Sequence, residues 1–346
     1  MGCPKAKLLG SHGHCRGISS FSPVVSGQKT PTHHIGRSLL AKRILAFGNP
    51  VYDVISTPAL VRSDRVLSGC STNACLAVAR LGVQATLVGS VGPDYKDTLE
   101  KDLQARHVDY HLLPSGQTGG FSLIYYDDHG NRELSLLGVA DPIRSFTGGY
   151  EGFDFILIGP ILGEVDSALV SQVRVATDLP ILTDPQGLLR NQNNGQIYHE
   201  MTRDFVEIAK ISTIVKANEL ETKVVTGIDP RLDPEAAVKA LYAFGCKIAV
   251  TTIAEAGSII YDGQRFYPIP AFKTDAIDPT GAGDTYAAGF ITKYMESPDD
   301  LTAVGCFASA VASVMVENSG PDFPLTRAEA DRRQAVLLSQ PKILGL

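Results

Sequence analysis

The stretch Asp278-Pro279-Thr280-Gly281-Ala282-Gly283-Asp284 concentrates residue types suited to handling phosphate. Gly281 and Gly283 carry no side chain, so a ligand can come close to the backbone. Helix-like sequence follows from Thr285 to Tyr294, and the unpaired amides at a helix start favour an anion. A carboxylate at position 284 can orient or deprotonate a hydroxyl while those amides hold phosphoryl oxygens. Taken alone, the stretch fits equally well a plain loop-to-helix junction with Asp284 as a favourable first-turn acid. It is not the GxxxxGK[ST] phosphate loop. Gly48-Asn49-Pro50 is not a GxGxxG fingerprint either, which removes the main support for a nicotinamide role.

These residues need a scaffold, and the order of elements predicts one. Buried strands are expected at 43–47, 85–89, 155–158, 181–183, 213–215 and 248–251, with helices between them at 72–81, 94–106, 165–175, 204–210 and 234–244. Short apolar strands alternating with helices imply a mostly parallel sheet covered on both faces. Three further helices start near Gly281, Leu301 and Thr326, after a hairpin at 258–267. Two extended regions, near 54–68 and 119–137, break the alternation and are expected to form a small accessory sheet.

With 346 residues, 44% of them hydrophobic and 20% charged, the chain can bury a large core. Its net charge of -6 argues against nucleic-acid or membrane-surface partners. The apolar run Leu301–Val316 is shorter than the roughly 20 residues needed to span lipid, so it reads as a buried helix. Six dispersed cysteines without CxxC spacing point to free thiols in a reducing compartment, hence a cytoplasmic protein. Residues 1–43 contain seven Lys and Arg but no acid, and read as a disordered extension. An organellar location is the alternative if that segment is a transit peptide.

Six motifs in chain order resemble the ribokinase-like, or PfkB, carbohydrate kinases, over roughly residues 43 to 338. They are Gly48-Asn49-Pro50-Val51-Tyr52-Asp53; Ser68-Gly69-Cys70-Ser71-Thr72-Asn73-Ala74 with Leu81-Gly82; Val88-Gly89-Ser90-Val91-Gly92-Pro93-Asp94; Lys216-Ala217-Asn218-Glu219-Leu220-Glu221; Thr252-Ile253-Ala254-Glu255-Ala256-Gly257; and the turn ending at Asp284. The resemblance implies a three-layer α/β fold over 44–340, with a mostly parallel central sheet and a β lid, and ATP-dependent phosphorylation of a small-molecule hydroxyl. It implies Asp284 as base and the amides of Gly281, Ala282 and Gly283 as an anion hole. It places Asp53, Gly69, Asn73, Asp184 and Gln186 around the acceptor, and Asn218, Glu221, Thr252 and Gly257 around ATP. Magnesium would be organised through water by Glu221, and Asp278 matches a position associated with a monovalent cation such as K+. Each assignment has a plainer competitor: Asn218 and Glu221 have helix-cap spacing, Asp53 can cap a turn, and Asn73 can simply start a helix.

Three departures bear on the acceptor. Ser68 stands where the family has the first glycine of a pair, Ala254 replaces a glycine, and Gln186-Gly187-Leu188-Leu189-Arg190 leaves the common sugar-kinase pattern. A sugar or cyclic polyol is the leading expectation, with a nucleoside next and a catalytically idle ligand sensor as the rival of a different class. The exposed edge of the lid offers a surface for pairing with a second copy.

Overall fold

Apolar runs that alternate between two faces build the centre of the molecule. The computed structural model describes residues 1–2, 42–58, 60–61, 64–126, 132–193 and 195–345. The expectation of disorder over 1–43 therefore falls almost wholly outside the described residues. In chain order the strands are β1 Arg43–Phe47, β2 Val51–Thr57, β3 Leu60–Val61, β4 Val66–Ser68, β5 Gln84–Val91, β6 Val108–Pro114, β7 Gly120–Tyr125 and β8 Arg132–Gly138. They continue with β9 Phe155–Ile158, β10 Ile181–Thr183, β11 Arg190–Asn193, β12 Gln196–His199, β13 Ile214–Asn218, β14 Ile248–Thr252, β15 Ser258–Tyr261 and β16 Phe266–Ile269. The helices are α1 Cys70–Arg80, α2 Lys96–Ala105, α3 Ser167–Ala176, α4 Gln186–Leu189, α5 Arg203–Ile211 and α6 Glu219–Thr226, then α7 Pro234–Tyr242, α8 Ala282–Tyr294, α9 Leu301–Val316 and α10 Arg327–Ser339.

The main sheet has the order β16-β15-β14-β13-β10-β9-β1-β5-β6. Strands β14 through β6 run parallel, and β15 and β16 add an antiparallel hairpin at one edge. Successive residues of β1 serve opposite layers. Ile44 and Ala46 pack with Leu76, Phe290 and Phe307 from α1, α8 and α9, whereas Leu45 and Phe47 pack with Leu169, Phe205 and Leu241 from α3, α5 and α7. Both faces are thus dry, which is why these strands read as continuous apolar runs. Each fully buried Phe or Leu contributes about 1.5–3 kcal/mol.

A second sheet has the order β11-β12-β8-β7-β2-β3, with β4 also paired to β2. Its own core is Val51, Ile55, Val66, Phe121, Leu123 and Tyr125. The sheet draws on three chain segments rather than the two expected, because β11 and β12 join it. Edge strand β6 was likewise not anticipated. Helix α1 begins at Cys70, two residues before the expected start, and β13 runs on to Asn218. The chain past 340 also stays attached, since the Gly345 amide donates to the Ala256 carbonyl at 2.9 Å.

Candidate active site

Parallel strands leave their C-terminal ends open for ligand, most readily where neighbouring connections diverge. Here β1 lies between β5 and β9, and the loops after β1, β10, β13 and β14 border a cavity of about 940 Å³. The lid lines one side with Phe121, Leu123, Tyr125, Leu134 and Ile197. Asp53, Gly69 and Asn73 line the same half of the cavity, together with Asp184 and Gln186, the residues expected around the acceptor. Asn218, Glu221, Thr252 and the turn 279–284 line the other half.

The turn is held at both ends. Gly281 takes φ 81°, a left-handed conformation that glycine adopts without penalty, and this aims the chain into α8. Asp278 is buried outside the cavity wall; its carboxylate accepts from the Thr280 amide at 2.9 Å and the Ser319 hydroxyl at 2.7 Å. The lid touches the turn through the Tyr125 and Thr280 hydroxyls, 2.9 Å apart. One amide of the expected anion hole is engaged elsewhere: Ala282 N–H donates to the Pro279 carbonyl at 3.2 Å, closing the turn on itself. The Gly281 and Gly283 amides take no acceptor among the described residues.

Asp284, at the first turn of α8, is almost fully buried, and its Oδ2 accepts from Asn73 Nδ2 at 2.9 Å. Asn73 is therefore more than a helix starter: α1 opens at Cys70, and the Asn73 side chain crosses to Asp284. Burial pushes the Asp284 carboxyl up, the Asp184 charge adds to this, and the Asn73 hydrogen bond and Lys216 oppose it. The Cys70 thiol lies within 4.8 Å of the Asp284 carboxylate, and burial pushes that thiol up.

Asp53 does not cap a turn. Its Oδ1 accepts from the Phe121 amide at 2.8 Å and so ties β2 to β7. Asp184 accepts from the Gln186 amide at 3.1 Å and from Lys216 Nζ at 2.5 Å. Asn218 and Glu221 do form a reciprocal helix cap, and the same residues face the cavity. Burial raises the Glu221 carboxyl to about 7, with the Asp184 charge adding and Lys216 opposing. Magnesium favours hard oxygen ligands, and the buried carboxylate of Glu221 beside the Asn218 carboxamide fits that preference. The Cys70, Asp184 and Asp284 group, with oxygens and sulfur within 4.8 Å of one another, suits magnesium less because of its thiol and the adjacent ammonium.

Gly257 is not in the cavity wall. It has φ 105°, and a Cβ there would lie 2.1 Å from the Ile269 carbonyl oxygen, so it serves the junction between β14 and β15. Ala254 and Glu255 take the place at the cavity that was expected of it. The sequence reading gave no role to Lys216, although it stands in the Lys216–Glu221 motif. A lysine in a strand that is otherwise apolar was the available signal.

A two-layered helical covering of a parallel sheet, a β lid and a glycine turn beside a buried carboxylate together define a small-molecule phosphotransferase of ribokinase-like fold. Residues 165–328 match the model of the pfkB family carbohydrate kinases. The match marks a similarity to that family over the C-terminal half of the fold, and it supports phosphoryl transfer to an alcohol group of a small sugar, nucleoside or polyol. It is 28% identical over 299 residues to a nucleoside kinase of Methanothermobacter thermautotrophicus, covering 80% of this chain and 90% of that one. A cytidine kinase of Thermococcus kodakarensis is 28% identical over 235 residues, 66% of this chain and 78% of its own. A solved structure of a pyrophosphate-dependent kinase in the ribokinase family, complexed with a pyrophosphate analogue and myo-inositol, superposes with a TM-score of 0.71. It is 23% identical and covers 84% of this chain and 99% of that one. The similarity to that family implies a phosphoryl donor and a divalent cation. Among the described residues no helix is long and apolar enough to cross a membrane.

Proposed function

We propose that the chain phosphorylates a hydroxyl of a nucleoside with ATP as donor and Asp284 as base. The reading rests on one observation: the Asn73–Asp284 hydrogen bond fixes a buried carboxylate beside the glycine turn, on the wall of the cavity. In the step it supports, the acceptor oxygen bonds to the γ-phosphorus as the bond from that phosphorus to the β-bridging oxygen breaks. The acceptor proton passes to Asp284, and ADP leaves with the electron pair. The amides of Gly281 and Gly283 bind the transferring oxygens, helped by the amino end of α8. Asn218 and Glu221 would hold magnesium, which would neutralise charge on the donor phosphates. Lid residues exclude water from the reaction.

The acceptor class follows from what lines its half of the cavity. Phe121, Leu123, Leu134 and Ile197 supply an apolar wall suited to a base, and Asp53 and Asn73 supply groups suited to sugar hydroxyls. The two nucleoside-acting relatives agree with this. The second reading is the bare sugar or cyclic polyol, supported by the polar side chains of Gln186, Arg190 and His199 in the same half.

The test is a turnover screen of nucleosides, sugars and cyclic polyols, with ATP and pyrophosphate as alternative donors. Nucleosides with ATP should exceed the bare sugars by at least about tenfold in kcat/KM, because they alone fill the apolar wall. A bare sugar or polyol in the lead would replace the acceptor assignment, and pyrophosphate in the lead would replace the donor. Asp284→Asn should retain ADP binding and lose roughly 10²- to 10⁴-fold in turnover, since an amide cannot take the proton. Undiminished turnover in that variant would remove Asp284 as the base.

A further inference from the structure

Lys216, at the middle of β13, is brought beneath the glycine turn. It is 2% exposed and lines the cavity. Its Nζ donates to Asp184 Oδ2 at 2.5 Å and to the Gly283 carbonyl at 3.2 Å. A Cβ on Gly283 would lie 2.9 Å from Nζ, so nothing separates the ammonium from the turn's backbone. Glu221 faces it from α6, Asp184 from the end of β10, and Cys70 from the start of α1. Asp284 closes the group from α8, feeling the charge of Lys216. The cation thus sits between the residues of the donor half and the base.

The partners of Nζ suit an ammonium, since the Asp184 carboxylate and the Gly283 carbonyl both accept from it. An ammonium has three donors. Asp184 and Gly283 engage two, and among the described residues no acceptor takes the third. As a purely structural device the pair would be poorly justified, because a buried ion pair is commonly matched or bettered by apolar residues of similar volume.

We infer that Lys216 is a catalytic residue of the phosphoryl transfer, its third N–H meeting an oxygen of the transferring group while Asp184 fixes its position. The inference rests on the kinase reading above and deepens it by naming the side chain that supplies positive charge at the point of transfer. Charge spreads over the three equatorial oxygens as the bond to the leaving group breaks, so a fixed cation there acts mainly on the transition state. Its signature is a loss in kcat with little change in KM.

The rival is that Lys216 only neutralises Asp184. The variants Lys216→Met and Asp184→Asn/Lys216→Met separate the two, since the double variant leaves no uncompensated buried carboxylate at 184. If Lys216 acts on the phosphoryl group, Lys216→Met should lose about 10²- to 10³-fold in kcat with acceptor KM within about threefold, and the double variant should lose as much relative to Asp184→Asn alone. The double variant should melt near the unaltered chain and decides the question if the single one folds poorly. Turnover of the double variant within about tenfold of Asp184→Asn alone would overturn the inference.

A second readout does not depend on the acceptor. With magnesium present, aluminium fluoride forms a mimic of the transferring group and should tighten ADP binding to the unaltered chain. The double variant should bind ADP normally and lose that tightening. Equal tightening in both proteins, or none in the unaltered chain, would sink the role of Lys216. Failure of every acceptor with a normal fluoride contrast would count against the acceptor assignment instead.

Discussion

Gly281→Ala probes how the glycine turn controls the base. At φ 81° an alanine is strained, costing about 1–2 kcal/mol. Its Cβ would also lie 3.2 Å from Asn73 Nδ2 and 3.6 Å from the Met315 methyl. Nδ2 is the atom that donates to Asp284 at 2.9 Å, so the displaced neighbour is the one orienting the carboxylate. A hydrogen bond to a charged group contributes about 1.5–3 kcal/mol. Losing half to all of it corresponds to roughly a three- to 150-fold change in rate, at about 1.4 kcal/mol per tenfold. The expected result is a melting temperature lower by a few degrees and a kcat reduced by about tenfold or more. Thermal melts and steady-state kinetics on the same preparation read both. Glycine-to-alanine changes at relaxed positions stabilise by about 0.4–1 kcal/mol through the unfolded chain. A variant that melts higher and turns over normally would refute both the strain and the link through Asn73.

Two other outcomes follow from the same geometry. Asp284 must be ionised to accept a proton, and burial followed by the Asp184 charge raises its carboxyl. The acidic limb of kcat/KM should therefore lie above the ordinary aspartate range, with activity lost as pH falls through it. Asp184→Asn removes a negative neighbour and should move that limb to lower pH; a pH–rate profile with the limb unmoved or raised contradicts the assignment. At Gly257, where φ is 105° and an added Cβ would meet the Ile269 carbonyl oxygen at 2.1 Å and the Ala271 amide nitrogen at 3.0 Å, alanine should destabilise by about 3 kcal/mol or more. Denaturant unfolding measures this, and a loss below about 1 kcal/mol would show that the hairpin junction can relax.

What the sequence disclosed and what it concealed divide along physical lines. The parallel strands were legible because burial on both faces makes them uniformly apolar, as in Phe155–Ile158. Strands β11 and β12, Arg190–Asn193 and Gln196–His199, are mostly polar and show no apolar alternation; their pairing with β8 comes from chain return across a lid. Edge strand β6 carries Asp109 and His111 among its apolar residues, which blurs its period. The reach of Asn73 to Asp284 spans 211 positions. Local pattern cannot supply that contact, and only the order of motifs hinted at it. The role of Lys216 is not legible in its own motif, because it depends on Asp184, which follows β10, and on Gly283, at the start of α8.

The layout also separates what can vary from what cannot. Asp284 and the end of the glycine turn sit on α8, whose Phe290 and Ile291 are fully buried beneath α9 and the main sheet. Moving Asp284 by an ångström would mean repacking that core, which close packing resists. The acceptor wall stands on the second sheet, whose core is a separate and smaller cluster around Phe121 and Leu123. Among the described residues it meets the turn through the Tyr125 and Thr280 hydroxyls and through the Thr57 hydroxyl, which donates to the Ile277 carbonyl. Substitutions at Leu134 or Ile197 can therefore reshape the acceptor pocket while the carboxylate, the turn and Lys216 keep their geometry. Acceptor preference and transfer chemistry are consequently expected to respond to different residues: changes in the lid should appear first in KM, and changes along α8 and β13 first in kcat.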